Sequence, residues 1–178
     1  DRPAVAQALH GLGRVLTEQG DLDAALTACE QAAAAYEEIG DERSRAIALR
    51  SVGIVHRAAG RLGEAARWCT QAVGLLRGID DRLMSAYAVQ ALAKIRIRQG
   101  RGDALRDDLV DCLNTCNEMQ DGFGQALMLR TLGELELAAG RYSEARRHLD
   151  RALQWWDALG LPVWRARTLR DLAATLDG

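Results

Sequence analysis

Five alanines, Ala6, Ala46, Ala86, Ala126 and Ala166, stand forty residues apart, and no other feature of the chain constrains its fold as strongly. Gly20, Gly60, Gly100 and Gly140 keep the same step, as do Leu12, Val52, Leu92, Leu132 and Leu172. A period of this length marks stacked supersecondary units. Each unit carries an apolar face it cannot bury alone, and stacking turns those faces into a continuous core. Arrays of this kind bind partners more often than they catalyse.

Between the glycines the apolar residues recur at helical spacing: Val5, Leu9, Leu12 and Leu16, then Leu49, Val52 and Val55, then Leu129, Leu132 and Leu135. Asp41, Asp81 and Asp121 stand where a carboxylate can cap the amides of a first turn, and Pro162 suits the first turn of the last helix. Gly20, Gly60, Gly100 and Gly140 fit the left-handed residue that closes a helix. The pattern predicts an all-α fold of nine helices at about 3–19, 22–39, 42–59, 62–78, 82–99, 103–119, 122–139, 142–159 and 162–177, with no β structure. We expect one array over 1–178, with repeats at about 6–41, 46–81, 86–121 and 126–161 and a terminal helix at 162–177. Small residues mark close helix approach: Gly13, Gly53, Ala93 and Gly133 in first helices, and Ala25, Ala65 and Ala145, then Ala32, Ala72 and Ala152, in second helices. The third unit breaks the pattern with Leu105, Cys112 and Gly102, so 82–119 is expected to be the least regular pair.

Other chemistry is excluded in turn. A chain of 178 residues that is 48% hydrophobic and 27% charged can bury a core and is not of the disordered class. No apolar run approaches the ~20 residues that cross a bilayer, and no leader pattern opens the chain. The chain opens on Asp1 and closes after an unpaired helix, so we expect it to be a piece of a longer protein. Cys29 and Cys69 occupy one core slot of successive repeats; Cys112 and Cys116 share a helix face, but no second pair at zinc spacing completes a site. We expect no metal, no cofactor, reduced thiols and a cytoplasmic setting. His10, His56 and His148 lie on different helices with no nucleophile at useful spacing, which predicts surface histidines and no enzyme.

LG at 12–13 and 132–133, G-x-x-x-E-A at 60–65 and 140–145, and the later alanine of each unit resemble the tetratricopeptide repeat over essentially the whole chain. The unit is forty residues rather than thirty-four, and Glu37, Arg77, Asn117 and Asp157 replace the closing proline. This long form is similar to the C-terminal arrays of large bacterial transcription regulators, the actinobacterial antibiotic-regulatory-protein family among them. The resemblance implies a right-handed superhelical α-solenoid of antiparallel helix pairs, about four and a half repeats long, whose first helices line a concave groove.

Charge sorts by helix type. First-helix segments hold fourteen Lys and Arg against seven Asp and Glu, and the intervening segments nine against eighteen, beneath a net charge of −2. On the family's layout the groove positions are His10, Arg14, Arg50, Arg57, Lys94, Arg98, Arg130 and Arg170, interspersed with Thr17, Ile54, Gln90, Ile97 and Leu137; Glu18 and Glu134 interrupt them. The implied function is a protein-interaction or signal-sensing module of a bacterial transcriptional regulator, taking an acidic peptide or partner segment through forked hydrogen bonds. The partner could belong to other domains of the same parent chain. The alternatives are a solvated face that keeps the protein soluble, and a structural adaptor or oligomerisation scaffold with weak dimerisation through unpaired ends. An acidic chain with few aromatics argues against direct nucleic-acid contact. Trp155, Trp156 and Trp164 either seal the last helices together or form a contact patch, and Trp68 is expected to cover its neighbouring helix.

Overall fold

The computed structural model describes residues 2–102 and 104–176, and these fold into nine α-helices with no strand among them. They are α1 (Arg2–Gln19), α2 (Leu22–Ile39), α3 (Glu42–Ala58), α4 (Leu62–Gly78), α5 (Arg82–Arg98), α6 (Arg106–Glu118), α7 (Gly122–Ala138), α8 (Tyr142–Ala158) and α9 (Pro162–Ala173). Capping follows the sequence. Asp41 Oδ1 accepts from the Ser44 amide at 2.9 Å, Asp81 Oδ1 from Met84 at 2.9 Å and Asp121 Oδ1 from Gly124 at 3.0 Å, and Asp21 adds a fourth cap onto Ala24 at 3.3 Å. Left-handed residues close the helices at both junctions of each repeat. At the inner junction they are all glycines, whereas at the outer one the two glycines Gly40 and Gly160 flank Asp80 at φ 55° and Gln120 at φ 54°.

Two helices differ from the pattern. α6 starts at Arg106, after an irregular stretch in which Leu105 is buried; the expected start at Asp103 lies outside the described residues. A side chain at position 102, where the other units carry Leu22 or Leu62, would make Leu135 shift, because a Cβ there would lie 2.8 Å from Leu135 Cδ1. α9 ends at Ala173 and gives way to turns at 174–176, short of the expected helix end.

The helices gather into two compact units that divide within the last turn of α5, one ending at Ile95 and the other beginning at Arg96. In the first unit, α1, α2, α3 and α4 pack in chain order and α1 also touches α3. Its core is built on the small-residue slots. Ala25 and Cys29 of α2 enclose Val52 and Val55 of α3, and Ala65 and Cys69 of α4 receive Ala91, Leu92 and Ile95 of α5. Trp68 lies half-buried against the Val52–Val55 cluster and against a further one that holds Leu49 and Leu76, with Arg67 Cζ 4.8 Å from its ring centroid. In the second unit, α6, α7, α8 and α9 pack in order and α7 touches α9. Its aromatic joint is Trp156, fully buried, stacked on Trp164 at 5.5 Å and met edge-on by Phe123, with its indole N–H donated to Thr168 Oγ1 at 2.9 Å. Trp155 covers Gly122, where a Cβ would fall 2.8 Å from the indole. The tryptophans thus seal the joint between α7, α8 and α9.

Candidate functional site: a cationic face without its counter-charge

In the first unit α1, α3 and α5 bring His10, Arg14 and Arg50 together with Tyr87. Arg14 is exposed, while Arg50 is half-buried with its Cζ 5.6 Å from the Tyr87 ring centroid. The Nε of Arg50 is enclosed and has no hydrogen-bond partner, and no carboxylate among the described residues pairs with Arg50 or Arg14. Burial holds the Arg50 guanidinium below its ordinary pKa, and Arg14 adds to that. An arginine does not shed its proton, so the group stays charged and under-satisfied.

The repeat explains how this happens. His10 Nε2 lies 2.9 Å from Ser51 Oγ, a step of forty-one residues from one first helix to the next. The same step in the second unit joins Arg130 Nε to Asp171 Oδ2 at 2.7 Å. From Arg50 it arrives at Ala91, which carries no polar side-chain atom. Arg130 therefore has a built-in carboxylate and Arg50 has none.

The other expected groove residues are placed unevenly. Ile54 is half-buried and leans on the Ala65–Cys69–Leu92 cluster, Arg57 and Lys94 are half-buried, and Gln90 is buried. Thr17 turns back to its own helix, donating to the Gly13 carbonyl at 2.6 Å. Ile97 is half-buried and Arg98 exposed at the end of α5. In the second unit Leu137 is half-buried, and Arg170 is exposed with its Nε 3.9 Å from Asp171. Arg130 is only 5% exposed; besides Asp171 it meets Glu134 Oε1 at 3.2 Å, so its guanidinium is already occupied.

The histidines are not the surface residues that their spacing suggested. His56 is buried and its Nδ1 accepts from Arg61 Nε at 3.0 Å, while His148 is half-buried with an enclosed, unpartnered Nδ1. Burial, first, lowers the pKa of all three. Arg141 repeats the Arg61 contact two repeats later, onto the fully buried Glu136. Arg106 Nη1 lies 2.9 Å from the other carboxylate oxygen without hydrogen-bond alignment, and so ties α6 to α7. Sequence reasoning missed this carboxylate, although the match of Arg61 to Arg141 across two repeats, eighty residues apart, pointed to it. Among the described residues no three His, Cys, Asp or Glu side chains converge as a metal site, and no helix is long and apolar enough to cross a membrane.

The sequence matches the tetratricopeptide repeat family over residues 4–78 and 124–178, most of its length. The chain belongs to the tetratricopeptide repeat family. Solved structures share the fold at low identity. A Podosopora anserina protein of nearly identical TPR-like repeats, assigned as a kinesin light chain, has a TM-score of 0.72 at 17% identity over 98% of this chain and 87% of its own. BtubC from P. vanneervenii has a TM-score of 0.79 at 17% identity, over 99% and 73%. A signal transduction ATPase with numerous domains from Pyrococcus horikoshii, which carries a tetratricopeptide repeat sensor, has a TM-score of 0.68 at 16% identity over 96% of this chain; the match spans 26% of that protein. No curated protein sequence matches the chain. These likenesses show an all-α solenoid of antiparallel helix pairs of the kind that serves as a protein–protein interaction module.

Proposed function

We propose that the first-helix face of the first unit binds a carboxylate-bearing segment of a partner protein, with Arg50 as the principal contact and Arg14 beside it. The observation that carries this reading is Arg50's enclosed, unpartnered Nε at a rung where the equivalent Arg130 owns Asp171. Arg50 is half-buried, so a carboxylate reaches the accessible edge of its guanidinium and meets a charge that no internal carboxylate offsets. The guanidinium fork then favours an Asp or Glu side chain over a neutral one. Ile54 and Arg57 extend the contact along α3, and Lys94 extends it along α5. Arg130 drops out of the binding set because its charge is spent internally, whereas Arg170 and Leu137 stay with the proposal on the second unit's first helices.

The module serves, on this reading, as the sensing part of a bacterial transcriptional regulator. Its long forty-residue repeat supports this, as does the fold shared with a signal-transduction ATPase whose repeats are a sensor. Four free, buried cysteines suit a reducing, cytoplasmic compartment. A scaffold is the second reading, favoured by the exposed apolar stripe of α1 formed by Val5, Leu12 and Val15.

The test uses a hexa-aspartate peptide titrated against the full chain. Wild type should bind with an affinity that falls as salt rises. Arg50→Gln should lose most of that binding. Ala91→Asp, which supplies Arg50 with the internal partner that Arg130 already has, should lose it too while keeping the arginine. Undiminished binding by both variants, with helical content unchanged, would remove Arg50 from the site.

A further inference from the structure

We infer that His10 is a proton-linked part of this carboxylate site: docking of a carboxylate on Arg50 draws a proton onto His10 Nδ1, so the partner binds more tightly as pH falls below neutrality. The inference rests on the groove reading above and adds its regulation.

The hydrogen bonds of His10 set it apart from the other two histidines. Ser51 Oγ lies 3.2 Å from the Ile47 carbonyl oxygen and 2.9 Å from His10 Nε2; we assign the single hydroxyl proton to the carbonyl, which makes the imidazole Nε2–H the donor and Ser51 Oγ the acceptor. The second ring nitrogen is left to take a proton. Protonation at Nδ1 therefore breaks nothing and keeps the Nε2–H bond in place. His56 is the opposite case: its Nδ1 accepts from Arg61, and a proton there would turn that acceptor into a donor facing a guanidinium.

The surroundings of His10 favour its neutral ring. Burial acts first, then Arg14 on its own helix and Arg50 on α3, and all three lower its pKa from 6.5. From α2, which packs on the other side of α1, Glu30 acts on Cys29 and His56 and is not among the charges felt by His10. A carboxylate seated on Arg50 cancels the repulsion from that guanidinium and adds an attractive charge, so the bound state holds the His10 proton more firmly than the free state. The sign follows. With the bound-state pKa above the free-state pKa, binding takes up a proton, and affinity rises as pH drops through the bound-state value; the ceiling is about tenfold per pH unit for one proton.

The experiment is calorimetric titration of the full chain with hexa-aspartate at constant ionic strength, at about pH 7.5 and about pH 6, in two buffers of different ionisation enthalpy. The peptide is N-acetylated, so its only charges are carboxylates; aspartate side chains titrate at about 3.9, and the probe keeps its charge across that window. Wild type should bind severalfold more tightly at the lower pH and take up as much as one proton per peptide. His10→Gln keeps an amide donor for Ser51 but has no titrating nitrogen, so the ratio of its two affinities should fall toward one, with circular dichroism reporting an unchanged fold. Equal wild-type affinities with no proton uptake, or a pH dependence that survives in His10→Gln, overturn the linkage and leave the carboxylate site standing. No binding at either pH, or binding that Arg50→Gln and Ala91→Asp both leave intact, overturns the site and the linkage with it.

Discussion

Gly53 has no room for a methyl group. A Cβ there would lie 2.4 Å from Cys69 Sγ and 3.0 Å from the Ala65 carbonyl oxygen, and Gly13 stands in the same relation to Cys29 and Ala25. The small slot and the cysteine are one device that lets two helix backbones approach. Gly53→Ala should therefore cost about 1–3 kcal/mol of stability, the usual range for overpacking a filled core. Cys69→Ala removes the nearer obstacle, and the double variant should recover part of that loss in a chemical-denaturation cycle. Strict additivity of the two changes would mean that the backbone carbonyl sets the limit. The glycine slots were legible because a periodic sequence reports a periodic constraint. The state of each arginine was not, because it depends on a residue in another helix: Arg50 and Arg130 read alike until positions 91 and 171, alanine and aspartate, are set against them.

Helix boundaries were readable wherever an aspartate capped the next turn or a glycine took the left-handed residue. They were off at α6, which begins at Arg106 where the unit has Gly102 in place of the apolar residue of the other repeats and Leu105 is buried just before the helix. In the stretch leading to Arg106, Leu105 donates to the Gly102 carbonyl at 3.0 Å in a turn, in place of a helical ladder. The buried Glu136 compensates from the next helix, since its contacts with Arg106 and Arg141 hold the start of α6 and the start of α8 to α7. Amide hydrogen exchange should accordingly be faster over 100–121 than over the equivalent 60–81, with the difference greatest before Arg106. Equal protection in the two segments would show that the missing turn costs no local stability. Glu136→Gln should widen the gap by weakening both arginine contacts; an unchanged exchange profile in that variant would reduce the carboxylate to a passive filler.

For the molecule as a whole the repeat also sets what the first helix leaves uncovered. Leu12 is 50% exposed and Val15 54%, whereas their equivalents Val52 and Val55 are 0% and 1% exposed beneath Ala25 and Cys29 of the preceding helix. Leu132 and Leu135 of α7, in the same slots, are 1% and 3% exposed. α1 thus carries an interior face on its outside. Each such side chain gains about 1.5–3 kcal/mol when fully buried, so a second copy laid against that face gains enough for weak pairing once the cost of association is met. Sedimentation velocity should show an average mass that climbs with protein concentration, and the double variant Leu12→Glu, Val15→Glu should sediment as a monomer throughout. Because both residues are exposed, the variant should unfold within about 0.5 kcal/mol of wild type, which separates lost association from lost folding. A wild-type chain that stays monomeric at the highest concentrations, or a charged variant that still associates, would place self-association elsewhere or nowhere and weaken the scaffold reading. A wild-type chain that stays monomeric while retaining Arg50-dependent binding of hexa-aspartate would favour the sensing role instead.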